Sequence, residues 1–257
     1  MSQVKLTAVV DSQKRLVPDV YSMWICCGEI AEQAVPGQFI SVYSKDGSKL
    51  LPRPISICEV DKDAGKLRIV YRVVGAGTEE FSGYEADDEI VIMGPLGNGF
   101  PVAENKGRKS FLIGGGIGIP PMLELAKNLD GEKQMVLGYR DVLFLNREFE
   151  DYGSVTIATE DGSTGTRGNV LDAIREQGLD AEVIYACGPT PMLRAIKSYA
   201  AEHGIECWLS LEEKMACGIG ACLACVCQSK EVDHHSHVHN KRICKDGPVF
   251  RAEEVEL

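Results

Sequence analysis

Cys217, Cys222 and Cys225 stand in a C-x4-C-x2-C array, and eighteen residues separate Cys225 from Cys244. This is the plant-type spacing for a [2Fe-2S] cluster, in which one tight loop supplies three thiolates and a later segment returns the fourth. Two iron ions held by four anionic sulfurs need backbone folded closely round them. Gly218 and Gly220, with the small Ala216, Ala221 and Ala224, permit that approach and leave amide N–H groups free for sulfur. A structural zinc site is the alternative for the same thiols, but zinc usually takes paired C-x2-C knuckles and only Cys222 and Cys225 make one. Cys227 is a fifth thiol in the stretch and stays open as a substitute ligand. Four of the five histidines, His234, His235, His237 and His239, crowd the segment before Cys244. They read as a solvated polar loop, with metal binding as the alternative.

A second group of residues is suited to nucleotides. Arg53-Pro54-Ile55-Ser56 sets a guanidinium beside a hydroxyl, a pair that can fork onto a phosphate. Further on, Val70-Tyr71-Arg72 runs through glycines to Gly77 and Thr78, where a helix start would let a diphosphate come close. Each motif alone is compatible with an ordinary turn; together on one domain they predict a flavin site. Gly114 to Gly118 is a glycine-rich turn from a strand into a helix, with Pro120 and Pro121 where a strict G-x-G-x-x-G would continue. Cys187-Gly188-Pro189 is another strand-end turn that opens a helix, at the same predicted sheet edge. No Ser/His/Asp set or paired-carboxylate set is evident, so no catalytic side chain is assigned.

These residues need two different scaffolds. Residues 1–102 carry short β-rich runs (VKLTAVV, VYSMWICC, QFISVYS, RPISICEV, KLRIVYRVV and DEIVIMG) separated by turn signals. Six such runs predict a closed or nearly closed antiparallel β-barrel, helical only over 77–84. Residues 103–211 alternate strand and helix, with strands near 110–113, 134–139, 154–160, 182–187 and 206–211. That rhythm predicts a parallel sheet in a nucleotide-binding α/β domain. Residues 212–257 form a small cysteine module. The fold class is therefore two-domain β plus α/β with a C-terminal [2Fe-2S] module.

At 257 residues, 44% hydrophobic and 25% charged, the chain has the composition of an ordinary globular protein. A formal charge of -11 argues against nucleic acid or an anionic membrane as partner. No apolar run reaches the roughly 18 residues of a membrane span. The opening residues lack a basic segment followed by an apolar one, so a cytoplasmic location is expected. Disulfides are rare there, and Cys26, Cys27, Cys58, Cys187 and Cys207 read as small buried hydrophobes.

Taken in order, the motifs resemble the ferredoxin-reductase-like flavoproteins: R-x-x-S and G-x-T on a barrel, then a glycine-rich turn and a late C-G-P. With the C-terminal cysteine array, the chain looks like the electron-transfer subunits of NAD-linked (class B) dihydroorotate dehydrogenases. That resemblance covers essentially the whole chain. It implies FAD contacts at Arg53, Pro54, Ile55, Ser56, Val70, Tyr71, Arg72, Gly77 and Thr78, and cluster ligands Cys217, Cys222, Cys225 and Cys244. It implies NAD beside Gly115, Gly116, Gly118, Cys187, Gly188 and Pro189. Glu160 and Asp161 stand where NADP-using relatives often carry an arginine, and carboxylates there favour NAD. It further implies an FMN-containing catalytic dihydroorotate dehydrogenase partner, in a heterotetramer of two plus two chains. Electrons would pass from that partner through the cluster and FAD to NAD+, in pyrimidine biosynthesis. The rival readings are the small subunit of a bifurcating NAD-dependent ferredoxin:NADP oxidoreductase or sulfide dehydrogenase, and a zinc-stapled flavin-binding redox sensor. Some of the former replace one cysteine ligand with aspartate, so the full cysteine set leans toward the dihydroorotate system.

Overall fold

The computed structural model describes residues 3–232 and 237–257. The first six strands are β1 (Val4–Val17), β2 (Val20–Cys26), β3 (Phe39–Tyr43), β4 (Arg53–Asp61), β5 (Lys66–Arg72) and β6 (Glu89–Leu96). They close into an antiparallel barrel in the order β1-β2-β5-β4-β3-β6. Side chains alternate across each strand. On β3, Ile40 and Val42 fill the barrel core with Ile57, Ile69 and Ile92, while Phe39 packs outside it. Helix α1 (Gly28–Gln33) adds Ile30 and Ala31 to the barrel core. The sequence reading missed it, because six residues are too few to show a helical period. Helix α2 (Ala76–Ser82) stands where a helix was expected.

Three helices and six strands follow: β7 (Ser110–Gly115), α3 (Pro120–Asn128), β8 (Lys133–Tyr139), β9 (Ser154–Thr159), β10 (Thr166–Arg167), α4 (Val170–Glu176), β11 (Val183–Cys187), α5 (Thr190–His203) and β12 (Glu206–Ser210). The tail adds β13 (Val226–Gln228), β14 (Asn240–Arg242), α6 (Ile243–Asp246) and β15 (Val249–Arg251). The sheet order is β10-β9-β8-β7-β11-β12-β15. Its pairs are parallel except β12 with β15, which is antiparallel. The expected parallel sheet is thus corrected to a mixed one, because the tail lends it an edge strand. Short as it is, β15 had no pattern to mark it.

The tail is fastened on two sides. Leu211 N–H donates to the Pro248 carbonyl at 2.9 Å, and Asn98 N–H, just past β6, donates to the Gly247 carbonyl at 2.6 Å. Phe39 and Leu96 of the barrel share one apolar cluster with Leu209 and Met215, and with Ile243, Cys225 and Cys244 of the tail. Barrel and sheet are also joined by charge: Arg68 on β5 is 4% exposed and meets Glu59 of β4 and Glu148 of the turn before β9. Among the described residues, no helix is long and apolar enough to cross a membrane.

Candidate flavin cavity and cysteine site

A cavity of about 550 Å³ opens between the barrel and the carboxyl edge of the sheet. That is the size of a cofactor site, at the edge where α/β sheets collect their ligands. The barrel wall holds the predicted residues Arg53, Pro54, Ile55, Ser56, Val70, Tyr71, Arg72 and Thr78. Alternation divides their roles. The side chains of Ile55 and Tyr71 belong to the barrel core, so they offer the cavity mainly backbone. The Tyr71 hydroxyl donates to Gln13 at 2.8 Å, inside the barrel. Gly77 does not line the cavity, yet an added Cβ there would collide with the Arg53 guanidinium, so the glycine leaves room for that side chain. Arg53 itself donates to the Leu51 carbonyl. The Thr78 hydroxyl accepts from Val74 N–H at 2.9 Å and donates to the Gly75 carbonyl at 3.0 Å. It shapes the turn entering α2, a local job additional to the phosphate contact expected of it.

The wall opposite was not legible beforehand. Ser210, Leu211, Glu212, Glu213, Lys214 and Met215 leave the end of β12 and cross the cavity toward the cysteines. One signal could have found them: in a parallel sheet every strand ends at the ligand edge, and β12 was a predicted strand. Glu212 lines the cavity with much of its surface exposed, yet the protein crowded about its carboxyl pushes that group up from the usual range.

Ile117 is the residue of the 114–118 turn that lines the cavity; Gly115, Gly116, Gly118, Cys187, Gly188 and Pro189 lie beyond it at the same edge. The two turns are packed backbone to backbone. An added Cβ at Gly115 would meet Met192 Sδ at 2.5 Å, and one at Gly118 would come within 2.6 Å of Gly188 N. Gly116 differs: its φ is +53° and the space above it is open. Cys187 is fully buried, and burial pushes its thiol well up, so it packs rather than reacts. Glu160 and Asp161 follow β9 at the same edge and are exposed.

The four expected thiols form two pairs. Cys217 and Cys222 lie with their Sγ atoms 3.2 Å apart. Cys225 and Cys244 are hydrogen-bonded to each other, with Ile243 N–H donating to the Cys225 carbonyl at 2.8 Å. Backbone amides converge on them: Gly220 N–H donates to Cys244 Sγ at 3.1 Å, and Cys222 N–H to Cys217 Sγ at 3.4 Å. Burial pushes the Cys217 thiol up, but hydrogen bonds from Cys222, Ile219 and Ala221 outweigh it and hold the thiol at about 7. Cys225 is drawn to about 6, chiefly by the hydrogen bond from Cys244, whose own thiol is held up in return. Buried Arg242 clasps the loop, donating to the Gly220 carbonyl at 3.0 Å.

Among the described residues no three His, Cys, Asp or Glu side chains converge as one metal ion requires. Two separate thiol pairs suit two irons better than one zinc, which needs four ligands about a single point. Cys227 is occupied elsewhere: its thiol donates to the Lys241 carbonyl at 3.6 Å across the β13–β14 hairpin, and burial pushes it up to about 11. His234 and His235 lie outside the described residues; His239 Nδ1 sits 3.0 Å from the Lys230 carbonyl.

Comparison with known proteins gives the family of the chain. Residues 212–256 match the iron-sulfur cluster binding domain of dihydroorotate dehydrogenase B. Over 264 aligned positions spanning both chains completely, the sequence is 42% identical to the electron transfer subunit of dihydroorotate dehydrogenase B (NAD(+)) from Geobacillus sp. (strain WCH70). The chain belongs to that family of electron-transfer subunits. The Bacillus caldolyticus member is also 42% identical, over 96% of this chain and 97% of its own. Among solved structures, an NADH-dependent reduced ferredoxin-NADP oxidoreductase superposes with a TM-score of 0.86 at 30% identity, covering 97% of this chain and 89% of its own. The ferredoxin reductase of carbazole 1,9a-dioxygenase shares the fold at 20% identity, with a TM-score of 0.67 over 80% of this chain and 67% of its own. The protein is an oxidoreductase subunit with an iron-sulfur domain on a flavin-reductase fold, and it works with a catalytic partner subunit.

Proposed function

We propose that this chain relays electrons from a catalytic subunit oxidising dihydroorotate to NAD+, holding FAD in the cavity and a [2Fe-2S] cluster on Cys217, Cys222, Cys225 and Cys244. One observation carries the reading: Phe39 and Met215 line the cavity and also belong to the apolar cluster that contains Cys225 and Cys244. The two cofactor sites therefore share a wall, which a short electron path requires. When bound, FAD supplies what no side chain can: it exchanges hydride with a nicotinamide on one side and single electrons with a cluster on the other.

The chain's own groups suit these tasks. Arg53 and Arg72 bring cations to the cavity mouth for a diphosphate, and Ser56 presents a hydroxyl inside it. The 114–118 and 187–189 turns are the places where a nicotinamide would reach the flavin, over the open face at Gly116. On the tail loop, Ile219 and Leu223 are 45% and 49% exposed beside the ligand cysteines. This apolar surface suits docking of the FMN-containing catalytic subunit, in a heterotetramer of two plus two chains serving pyrimidine synthesis. A cytoplasmic location, where thiols stay reduced, suits the thiolate ligands such a cluster needs.

The decisive experiment is anaerobic capture of the chain from its native cell, followed by assay of dihydroorotate-driven NAD+ reduction. The expected eluate contains a second, FMN-bearing chain and is active. Material with FAD and iron that ignores dihydroorotate yet oxidises NADH with a dye acceptor would instead place the chain with the bifurcating reductases. Cofactor choice gives a further expectation. Exposed Glu160 and Asp161 at the end of β9 would hydrogen-bond ribose hydroxyls and repel a 2′-phosphate, so kcat/KM for NADH exceeds that for NADPH by at least ~10-fold, about 1.4 kcal/mol. Equal values for the two nucleotides in saturation kinetics would refute the assignment.

A further inference from the structure

Ser41 is fully buried, and its Oγ has no hydrogen-bond partner among the described residues. An unpaired hydroxyl in the interior is costly, and a native one calls for an explanation such as a bound group that it serves. Its surroundings indicate which group. Ser41 lies in the middle of β3, between Pro54 of β4 and Met93 of β6. Strand alternation turns its side chain outward with Phe39 and Tyr43, toward the cysteine loop and away from Ile40 and Val42 in the barrel core. The segment packed on that face is Gly218, next to Cys217 in the chain. A Cβ at Gly218 would sit 3.2 Å from Ser41 Oγ and 3.3 Å from Met93 Cε, and the residue's φ is +70°. Glycine there lets the loop settle directly onto the hydroxyl.

We infer that the Ser41 hydroxyl donates a hydrogen bond to sulfur on the Cys217 side of the cluster and thereby raises the cluster's reduction potential. This rests on the proposal that Cys217, Cys222, Cys225 and Cys244 hold a [2Fe-2S] cluster. A hydroxyl carries one proton to donate, and sulfur gains negative charge when the cluster is reduced. A donor aimed at that sulfur stabilises the reduced form more than the oxidised one. The barrel wall that borders the flavin cavity would then also tune the electron step into it. Ser41 acts as a positioning and tuning residue and is no ligand.

The test is an EPR-monitored redox titration of the complete complex carrying wild-type chain, Ser41→Ala or Ser41→Thr. The expected result is a fall in cluster potential for Ser41→Ala equivalent to about tenfold in the one-electron equilibrium, or about 59 mV, with iron and sulfide content unchanged. Ser41→Thr, which keeps the hydroxyl, restores most of it. An unchanged potential in fully loaded Ser41→Ala overturns the inference. Should Ser41→Ala not assemble, wild-type complex labelled with Cβ-deuterated serine decides the matter. Its pulsed EPR spectrum is expected to show deuterium couplings that vanish in Ser41→Thr, and their absence from the wild type overturns the inference. Wild-type protein lacking two irons and two acid-labile sulfides per chain would refute the cluster reading itself, a failure distinct from an unshifted potential.

Discussion

Replacing Cys225 or Cys244 with serine is expected to abolish dihydroorotate-driven NAD+ reduction while leaving NADH oxidation by an artificial dye acceptor near its wild-type rate. The two activities separate because they draw on different parts of the chain. Dye reduction needs the cavity walls from Arg53 to Thr78 and Ser210 to Met215, and no thiol among the four lines that cavity. The full relay needs the cluster. Loss of one thiolate leaves an iron under-coordinated, so the relay falls by more than the ~10–100-fold that removal of a mere outer-shell partner costs. Iron content falls with it. The retained dye activity is the internal control for folding, which matters because Cys225 and Cys244 are both buried in the main apolar cluster. Cys227→Ser serves as comparison. Its thiol is satisfied by Lys241 and held protonated by burial, so iron and both activities stay close to wild type. Iron lost in Cys227→Ser and kept in Cys244→Ser would reverse their roles.

Arg68→Met lowers the stability of the protein by about 1–3 kcal/mol, less than breaking a fully buried pair costs, because Glu148 is 39% exposed and Glu59 keeps Lys127 as a partner. The guanidinium is 4% exposed, donates Nε to Ser22 Oγ at 2.8 Å, and reaches Glu148 at 3.1 Å and Glu59 at 3.3 Å. Burial works against its charge, but the carboxylates of Glu148 and Glu59 more than compensate and hold its pKa above the ordinary arginine range. The network continues through Lys127, 3.0 Å from Glu59, to Glu124, which accepts the Val60 N–H at 2.9 Å. It spans β4, β5, α3 and the turn before β9, so it fixes how the barrel meets the sheet. Removing Arg68 leaves Glu148 without its cation at that junction. For a chain this long, the loss corresponds to a fall of roughly 5 °C in Tm. Lys66→Ala, which breaks the solvent-facing pair with Asp11, leaves stability close to wild type. Urea unfolding of the three proteins checks both values, and an Arg68→Met protein within 1 kcal/mol of wild type would show that apolar contacts alone hold the junction.

The two outcomes bear on what the chain encodes locally and what it encodes through distant contacts. The barrel strands were legible because short runs rich in β-branched and aromatic residues, bounded by Pro36-Gly37, Asp46-Gly47 and Ala64-Gly65, are written in consecutive residues. The parallel strands β7, β8, β9, β11 and β12 were legible as short apolar runs in a strand–helix rhythm, whereas the two-residue β10 was not. Helix α1 and strands β13, β14 and β15 were not, since elements of three to six residues hold too few positions for a period to emerge. The cysteine array needed only its spacing, because three of the four thiols come from one loop.

What the sequence alone determined is therefore chemistry of short range: the thiol spacing, the arginine-and-hydroxyl motif, the glycine turns and the order of the domains. Each is set by a few neighbouring residues whose sterics and donor groups act through the local backbone. Tertiary structure alone decided the rest: that Glu212 to Met215 wall the cavity, that the tail's β15 completes the sheet, and that the thiols divide into two pairs. It also decided that Ser41 faces Gly218, across 177 residues of chain (218 − 41). Such contacts arise when apolar faces such as Phe39, Leu96 and Met215 are buried together. Burial is a non-directional driving force proportional to area, and it leaves no mark in the spacing of neighbouring residues.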